Sequence, residues 1–164
     1  MRIFAFDPGK HGCGVDIHVE CKHVRWAKLP YREDNLLDIV KLRELFDLSQ
    51  ADRVGIEKVA YIKGATGQST FTFGMNFGML MSYVCEYPYE YVLPQVWHRS
   101  INGTSKEGST KERTAASFLR MNPSFGKIVM NQHEGLIDAW SIGYFLGRKN
   151  GVLMPHGCTF ERLL

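Results

Sequence analysis

The order of the predicted strands and helices limits the fold of this chain more than any other feature of its sequence. Three runs near the N-terminus alternate apolar and polar residues, which is typical of strands in a half-buried sheet. Further along, strand patterns take turns with helical patterns. Five strands are predicted in all, over residues 2–7, 14–19, 23–29, 53–57 and 89–92. This order indicates an α/β protein with a mixed five-stranded sheet, an antiparallel hairpin at its edge and helices on both faces.

The helical segments follow from the spacing of their apolar residues and from their start and stop signals. Pro94 suits the first turn of a short helix, Thr110 is expected to be an N-cap, and Gly151 follows the last helix as a stop. The helices are predicted over residues 33–48, 69–84, from 94 onward, 110–121 and 133–148. The last residues, 151–164, are expected to form a C-terminal tail or an edge.

The composition is that of an ordinary globular protein, with one domain expected over residues 1–164. Of the 164 residues, 45% are hydrophobic and 23% are charged, and domains commonly contain about 100–200 residues. No apolar run approaches the ~20 residues of a membrane span, and the N-terminus lacks the apolar core of a signal peptide. A soluble cytoplasmic protein is therefore expected. The net charge of +3 is too small to indicate a nucleic-acid-binding protein by itself.

Four acidic residues stand out because of their positions in these elements. Asp7 ends the first strand and Glu57 ends the fourth. Glu134 and Asp138 are four residues apart on the last predicted helix, so they share one of its faces. Buried carboxylates are costly unless a cation or a metal ion pairs with them. If the four meet at one rim of the sheet, their oxygen atoms predict a site for Mg²⁺ or Mn²⁺.

Most of these acids also have an ordinary structural explanation. Asp7 could serve only to form a turn, Glu57 could pair with a neighbouring lysine, and Glu134 could complement the helix dipole. Asp138, in mid-helix among apolar residues, is the hardest to explain without a partner. The glycine-rich turn after Asp7 is also found in sugar kinases and actin-like ATPases, but those proteins have two lobes and need a much longer chain.

Four stretches, in this order, resemble the motifs of RuvC-type Holliday junction resolvases. MRIFAFDPGKHGCGVDI is similar to the N-terminal motif of that family, and GIEKVAYIKGATGQSTFTFGMNFGML is similar to the second. YVLPQVW and SKEGSTKERTAASFL resemble the segment that contains a proline, a basic loop and a lysine-bearing helix. HEGLIDAWSIGYF resembles the final acidic helix. The matches span residues 1–148 and look closer to the phage-encoded branch of the family than to the bacterial housekeeping enzymes.

The resemblance implies a ribonuclease H-like fold in which Asp7, Glu57 and Asp138 hold two Mg²⁺ or Mn²⁺ ions. Two divalent ions ~4 Å apart can activate water and stabilise the leaving 3′-oxygen in an in-line cleavage of a phosphodiester. The products would then carry 5′-phosphate and 3′-hydroxyl ends, as in the family.

One ligand position departs from the family pattern. Many relatives place an acid or a histidine three residues before the final aspartate, where this chain has Gly135. Glu134 is the first candidate to replace that ligand, and His133 is the second. His133 could also orient water, protonate a leaving group or simply begin the helix.

Basic residues concentrate between residues 99 and 120, a segment that contains five basic residues and two acidic ones. That surplus of three positive charges is as large as the surplus of the whole chain. The glycine- and serine-rich loop within this segment could hold DNA phosphates, and Tyr61 could stack on unpaired bases at a junction centre. A solvated helix face and packing under a loop are the alternatives. The candidate DNA contacts are Tyr61, Lys63, Arg99, Lys106, Lys111 and Arg113.

A homodimer is implied as well, because a four-way junction has two strands to cut and a two-fold dimer has two sites. The candidate interface is an apolar helical face that could equally be core, formed by Phe73, Phe77, Leu80 and Met81.

The function expected from the motifs is that of a metal-dependent, structure-selective DNA endonuclease, a crossover junction endodeoxyribonuclease of DNA recombination and repair. Its partners would be four-way or branched DNA and a second copy of the chain, without a membrane, in a bacterial or phage-infected cell. Two alternatives stay open. One is a nuclease for other branched DNA or for RNA–DNA hybrids, and the other is a non-catalytic junction-binding protein.

Overall fold

A computed structural model of the chain describes residues 1–9, 11–58, 66–103 and 107–163. Within these ranges the strands form one mixed sheet in the order β5-β4-β1-β2-β3-β6. The β1–β2 and β2–β3 pairs are antiparallel, whereas β4 is parallel to β1 and β5, and β6 is parallel to β3. The strands are β1 (Arg2–Asp7), β2 (Cys13–His18), β3 (His23–Lys28), β4 (Arg53–Glu57), β5 (Tyr89–Val92) and β6 (Thr159–Arg162).

The predicted class, a mixed sheet between helices, is confirmed, but the sheet has six strands in the described residues and not five. The additional strand, β6, lies in the C-terminal segment and pairs with β3. Its four residues are too short for a distinct alternating pattern. Backbone hydrogen bonds to β3 and its flanks, such as the one from Leu163 N to the Trp26 carbonyl at 2.7 Å, hold it at the edge.

The helices flank the sheet, and along the chain they all follow β3. They are α1 (Ile39–Leu45), α2 (Gly67–Val84), α3 (Pro94–Asn102), α4 (Thr110–Met121) and α5 (Met130–Lys149), with short 3₁₀ turns at Leu48–Gln50 and Pro123–Phe125. The N-cap of α4 is Ser109 and not Thr110, because the Ser109 side chain accepts from the Glu112 N–H and Glu112 bonds back to Ser109. None of the described helices is long and apolar enough to cross a membrane.

The first helix is shorter than the predicted 33–48. Asp38 caps it, with a side-chain oxygen that accepts from the Lys41 N–H at 3.1 Å. The preceding residues bond elsewhere, since Leu37 N donates to the Asn76 side chain on α2 at 2.8 Å. Because tertiary partners take these backbone groups, the apolar spacing before Asp38 does not become helical.

The two faces of the sheet carry separate apolar cores. On one face, side chains such as Ala5 and Ile17 pack under α5. On the other, Phe4 and Phe6 pack against Phe46 and the α1–α2 layer. Alternation along β1 produces this division, because successive side chains of a strand point to opposite faces. The position of α5 close above β1 determines where its acidic residues lie.

Candidate active site

The two acids at the ends of strands are neighbours in the sheet. In the parallel β1–β4 pair Phe6 is opposite Ile56, so the next residues, Asp7 and Glu57, leave the sheet at the same level. Adjacent strands lie about 4.8 Å apart. Asp7 is only 8% exposed, and Glu57 is partly buried. The carboxyl ends of two central strands therefore present two carboxylates at one edge.

The last helix adds the other two acids to this edge. Burial and the charges of Glu57 and Glu134 together raise the pKa of Asp7 to about 7, although a hydrogen bond from Gly9 and the charge of Lys111 oppose the rise. Burial and repulsion from Asp7, Glu57 and Glu134 together raise the pKa of Asp138 to about 8. Asp7 and Asp138 are thus each within electrostatic reach of Glu57 and Glu134. Both are therefore influenced by the charges of the other acids, and we call these four residues the acidic cluster.

Two donors of the protein orient the strand-end acids. The Gly9 N–H donates to Asp7 Oδ1 at 2.9 Å, and the Trp97 indole N–H donates to Glu57 Oε1 at 2.9 Å. Burial raises the pKa of Glu57, and the Trp97 hydrogen bond opposes that rise. Trp97 is a contact that the sequence patterns did not indicate, because a tryptophan in a helix is usually a core residue. The only local signal is the start of α3 at Pro94, directly after β5.

Lys111 contacts the acidic cluster. Its ammonium group forms an ion pair with Glu134, and this contact raises the pKa of Lys111. Asp138 and Asp7 contribute to the same rise through their charges. The sequence predicted Lys111 as a contact for DNA phosphate, whereas in the structure it balances part of the negative charge at the site.

The packing of α5 explains why position 135 is a glycine. A Cβ atom built on Gly135 would lie 2.1 Å from the His11 carbonyl oxygen and 3.1 Å from Cys13 Cβ. No side chain fits there unless the helix or the β1–β2 loop moves. An acid or histidine at this position is therefore excluded by the close approach of two backbones, and Glu134 is the acid next to it.

His133 lies apart from the acidic cluster. Its Nδ1 accepts a hydrogen bond from Val129 N at 3.0 Å, at the start of α5. Its ring packs edge-on against Phe125 and Trp26. Burial lowers the pKa of His133, and the nearby charges of Arg162 and Lys28 lower it further. The contacts of this ring are those of a half-buried residue at the start of a helix.

The predicted DNA contacts have different positions. Tyr61, Lys63 and Lys106 lie outside the described residues. Arg99 is exposed in the last turn of α3. Arg113 is half-buried, and its guanidinium donates to the Gly108 carbonyl and to Thr110 Oγ1, so it anchors the turn before α4.

The predicted interface face of α2 is only partly exposed. Leu80 is fully buried in the core against the sheet, so its assignment to an interface is wrong. Phe73 and Phe77 are partly buried and their rings stack on each other, and Phe77 also stacks on Tyr91 of β5. Met81 is partly buried as well. The side chains exposed beside them are Phe71 and Met75.

The donor set of the acidic cluster fits a hard divalent cation. Carboxylate oxygens are the ligands that Mg²⁺ and Mn²⁺ prefer, and burial together with the charges of neighbouring carboxylates raises the pKa values of Asp7 and Asp138. Within the described ranges, no three His, Cys, Asp or Glu side chains form a ready-made group of metal ligands. A metal site is thus supported by the chemistry of the donors and their repulsion, and not by a preformed cage.

Comparison with known proteins identifies the fold. No family model and no curated protein matches the sequence. Among solved structures, Thermus thermophilus RuvC in complex with Holliday junction substrate is similar over 94% of this chain and 99% of that chain, with a TM-score of 0.64 and 15% identity. The yeast mitochondrial Holliday junction resolvase Ydc2 is similar over 92% of this chain and 79% of its own, with a TM-score of 0.57 and 14% identity.

A third structure, the Fowlpox virus resolvase with Holliday junction DNA, covers 93% of this chain and 99% of its own, with a TM-score of 0.50 and 14% identity. The sheet and helices therefore have the ribonuclease H-like architecture of RuvC-type resolvases. The resemblance that the sequence motifs indicated is confirmed at the level of the fold.

Proposed function

We propose that this chain is a metal-dependent, structure-selective DNA endonuclease that resolves Holliday junctions. The observation that carries the proposal is the convergence of Asp7, Glu57, Glu134 and Asp138 at one edge of the sheet. The comparisons support the proposal because similar folds include RuvC in complex with a Holliday junction substrate and a yeast mitochondrial Holliday junction resolvase. Carboxylates alone do not define a substrate, so we propose branched DNA over RNA–DNA hybrids because similar structures are complexes with Holliday junction DNA.

The proposed ligands are Asp7, Glu57 and Asp138, with Glu134 completing the set. Two Mg²⁺ or Mn²⁺ ions bound there would activate water and stabilise the leaving 3′-oxygen, giving 5′-phosphate and 3′-hydroxyl ends. Hydrogen bonds from the protein orient one oxygen of Asp7 and one of Glu57, which reduces the freedom lost when these side chains bind a cation. His133 is left out of the set because its ring nitrogen Nδ1 is bonded to the backbone of Val129.

Basic side chains of α3 and α4 supply the proposed contacts to DNA phosphate. Lys111 pairs with Glu134, yet its side chain is 67% exposed and is accessible to DNA. Arg99 is exposed on α3. Phosphate contacts of this kind position the nucleic acid without reading its sequence. Tyr61, Lys63 and Lys106 remain proposed contacts from the sequence.

We extend the proposal to a homodimer, since cleavage of both strands of a junction needs two sites related by two-fold symmetry. The exposed apolar side chains of α2, Phe71 at 69% and Met75 at 38%, supply the proposed contact surface together with the partly buried Phe73 and Phe77. Sedimentation velocity of the purified protein, with a dimer expected, tests this part.

Cleavage of defined substrates tests the activity. A labelled four-way junction, a Y-fork, an RNA–DNA hybrid and a linear duplex are each incubated with Mg²⁺, with Mn²⁺ or with EDTA. We expect metal-dependent cutting that is fastest on the four-way junction. Cutting in EDTA, or equal rates on the linear duplex, contradicts the proposal. Preference for the Y-fork or for the hybrid would select the alternative nuclease, and binding without cutting would select the non-catalytic junction-binding protein.

A further inference from the structure

We infer that Trp97 is a positioning residue for Glu57, whose carboxylate it orients through the indole N–H. The bond from Trp97 Nε1 to Glu57 Oε1 is 2.9 Å long. It occupies one carboxylate oxygen and leaves Oε2 for a cation. This inference rests on the proposed metal site, because orientation of Glu57 matters only if Glu57 binds an ion.

The backbone places Trp97 next to Glu57. In the parallel β4–β5 pair Glu57 is opposite Val92, and the Lys58 N–H donates to the Val92 carbonyl at 2.8 Å. The chain leaves the sheet after Val92, and α3 begins at Pro94. The first turn of α3 therefore lies at the same edge of the sheet as Glu57, and Trp97 is in that turn.

Packing fixes the direction of the donor. Trp97 is 1% exposed and belongs to the core under α5. Its ring lies against the ring of His98, with the two centroids 3.6 Å apart. An indole N–H is a donor that cannot accept a hydrogen bond and cannot be re-aimed without turning the whole ring. The Glu57 side chain, by contrast, is flexible and has several rotamers available. The fixed indole N–H therefore selects the orientation of the carboxylate.

The hydrogen bond from Trp97 favours the form of Glu57 that can bind a metal ion. A hydrogen bond donated to a carboxylate stabilises its ionised form, which is the form that binds a metal ion. Groups that hold metal ligands in this way typically change metal affinity about 10–100-fold when they are removed. We therefore expect Trp97→Phe, which keeps an aromatic ring but removes the donor, to weaken Mn²⁺ binding by about 10–100-fold.

The chain contains a matched control for the loss of a buried indole. Trp140 is also 1% exposed in the same core. In the part of the chain that the structure describes, its indole nitrogen has no hydrogen-bond partner. Trp140→Phe thus makes the same change of volume without removing a bond to the acidic cluster.

Calorimetric titration of the DNA-free protein with Mn²⁺ tests the inference, on wild type, Trp97→Phe and Trp140→Phe. We expect weaker binding in Trp97→Phe and wild-type affinity in Trp140→Phe. Equal affinity of Trp97→Phe and wild type overturns the inference but leaves the proposed metal site intact. Equal weakening in both variants overturns it too, because it would show a general effect of core packing. If the wild type itself binds no Mn²⁺, the proposed metal site fails together with the inference.

A second comparison separates the hydrogen bond from the shape of the ring. In a Glu57→Gln background, Trp97→Phe should change Mn²⁺ affinity no further, because the oriented carboxylate is already absent. An additional 10-fold or greater loss there, on the order expected for the single change, overturns the inference. Should Trp97→Phe fail to fold by circular dichroism, benzothienylalanine at position 97 replaces the N–H with sulfur at nearly the same shape. Retained wild-type affinity in that protein would overturn the inference as well.

Discussion

Gly135→Ala perturbs the close contact between α5 and the β1–β2 loop, on which the geometry of the site depends. The new Cβ would lie 2.1 Å from the His11 carbonyl oxygen, far closer than the ordinary contact distance of about 3.5 Å. Both atoms belong to backbone or are attached directly to it, so neither can rotate away. Strain from overpacking typically costs about 1–3 kcal/mol, and a clash this close belongs at the upper end. Alanine regains about 1 kcal/mol of helix propensity over glycine. The net loss of stability is then about 2 kcal/mol.

Urea denaturation followed by circular dichroism measures this loss directly. In thermal denaturation, the same loss of about 2 kcal/mol would lower the Tm by about 4–8 °C for a chain of this size. The matched control is Gly67→Ala at the start of α2, where nothing lies within 4 Å of the new Cβ. Its stability should stay within about 0.5 kcal/mol of wild type. If Gly135→Ala is as stable as Gly67→Ala, then α5 does not pack on the β1–β2 loop as described, and the explanation for the glycine at position 135 is refuted.

Three further predictions concern the acidic cluster. Asp7→Asn should abolish cleavage and leave junction binding in EDTA intact, because asparagine can still accept the Gly9 N–H; surviving activity would remove Asp7 from the site. In metal-free buffer, stability should fall as pH rises from about 4 to about 8. Asp7 and Asp138 have pKa values of about 7 and about 8 when folded, against 3.8, so in this range the folded state binds more protons than the unfolded state. The urea midpoint of Asp138→Asn should depend less on pH than that of wild type. An equal pH dependence of the two midpoints would contradict the raised pKa of Asp138. Glu134→Gln should reduce cleavage more than His133→Ala does, and the reverse order in a kinetic assay would exchange their roles.

Much of the sheet could be predicted because its information is local. Alternation along β1 and β4 indicates both the strands and their last residues, so the two strand-end acids were visible in the sequence. Parallel pairing of β1 with β4 then brings Asp7 and Glu57 to one level. The i,i+4 spacing of Glu134 and Asp138 likewise predicts one helix face. The predicted helix over 33–48 failed because the backbone of Leu37 bonds to the side chain of Asn76, which is 39 residues away.

The sequence by itself therefore determined the class of the fold, the acids at the ends of strands and the order of the motifs, since each depends on spacing along the chain. Only the tertiary structure decided which side chains complete the site. Glu134 and His133 are consecutive, and the packing of α5 alone places one with Lys111 and the other against Phe125. Trp97 reaches Glu57 from 40 residues away. Such contacts depend on how elements pack, and no periodicity in the sequence records that packing.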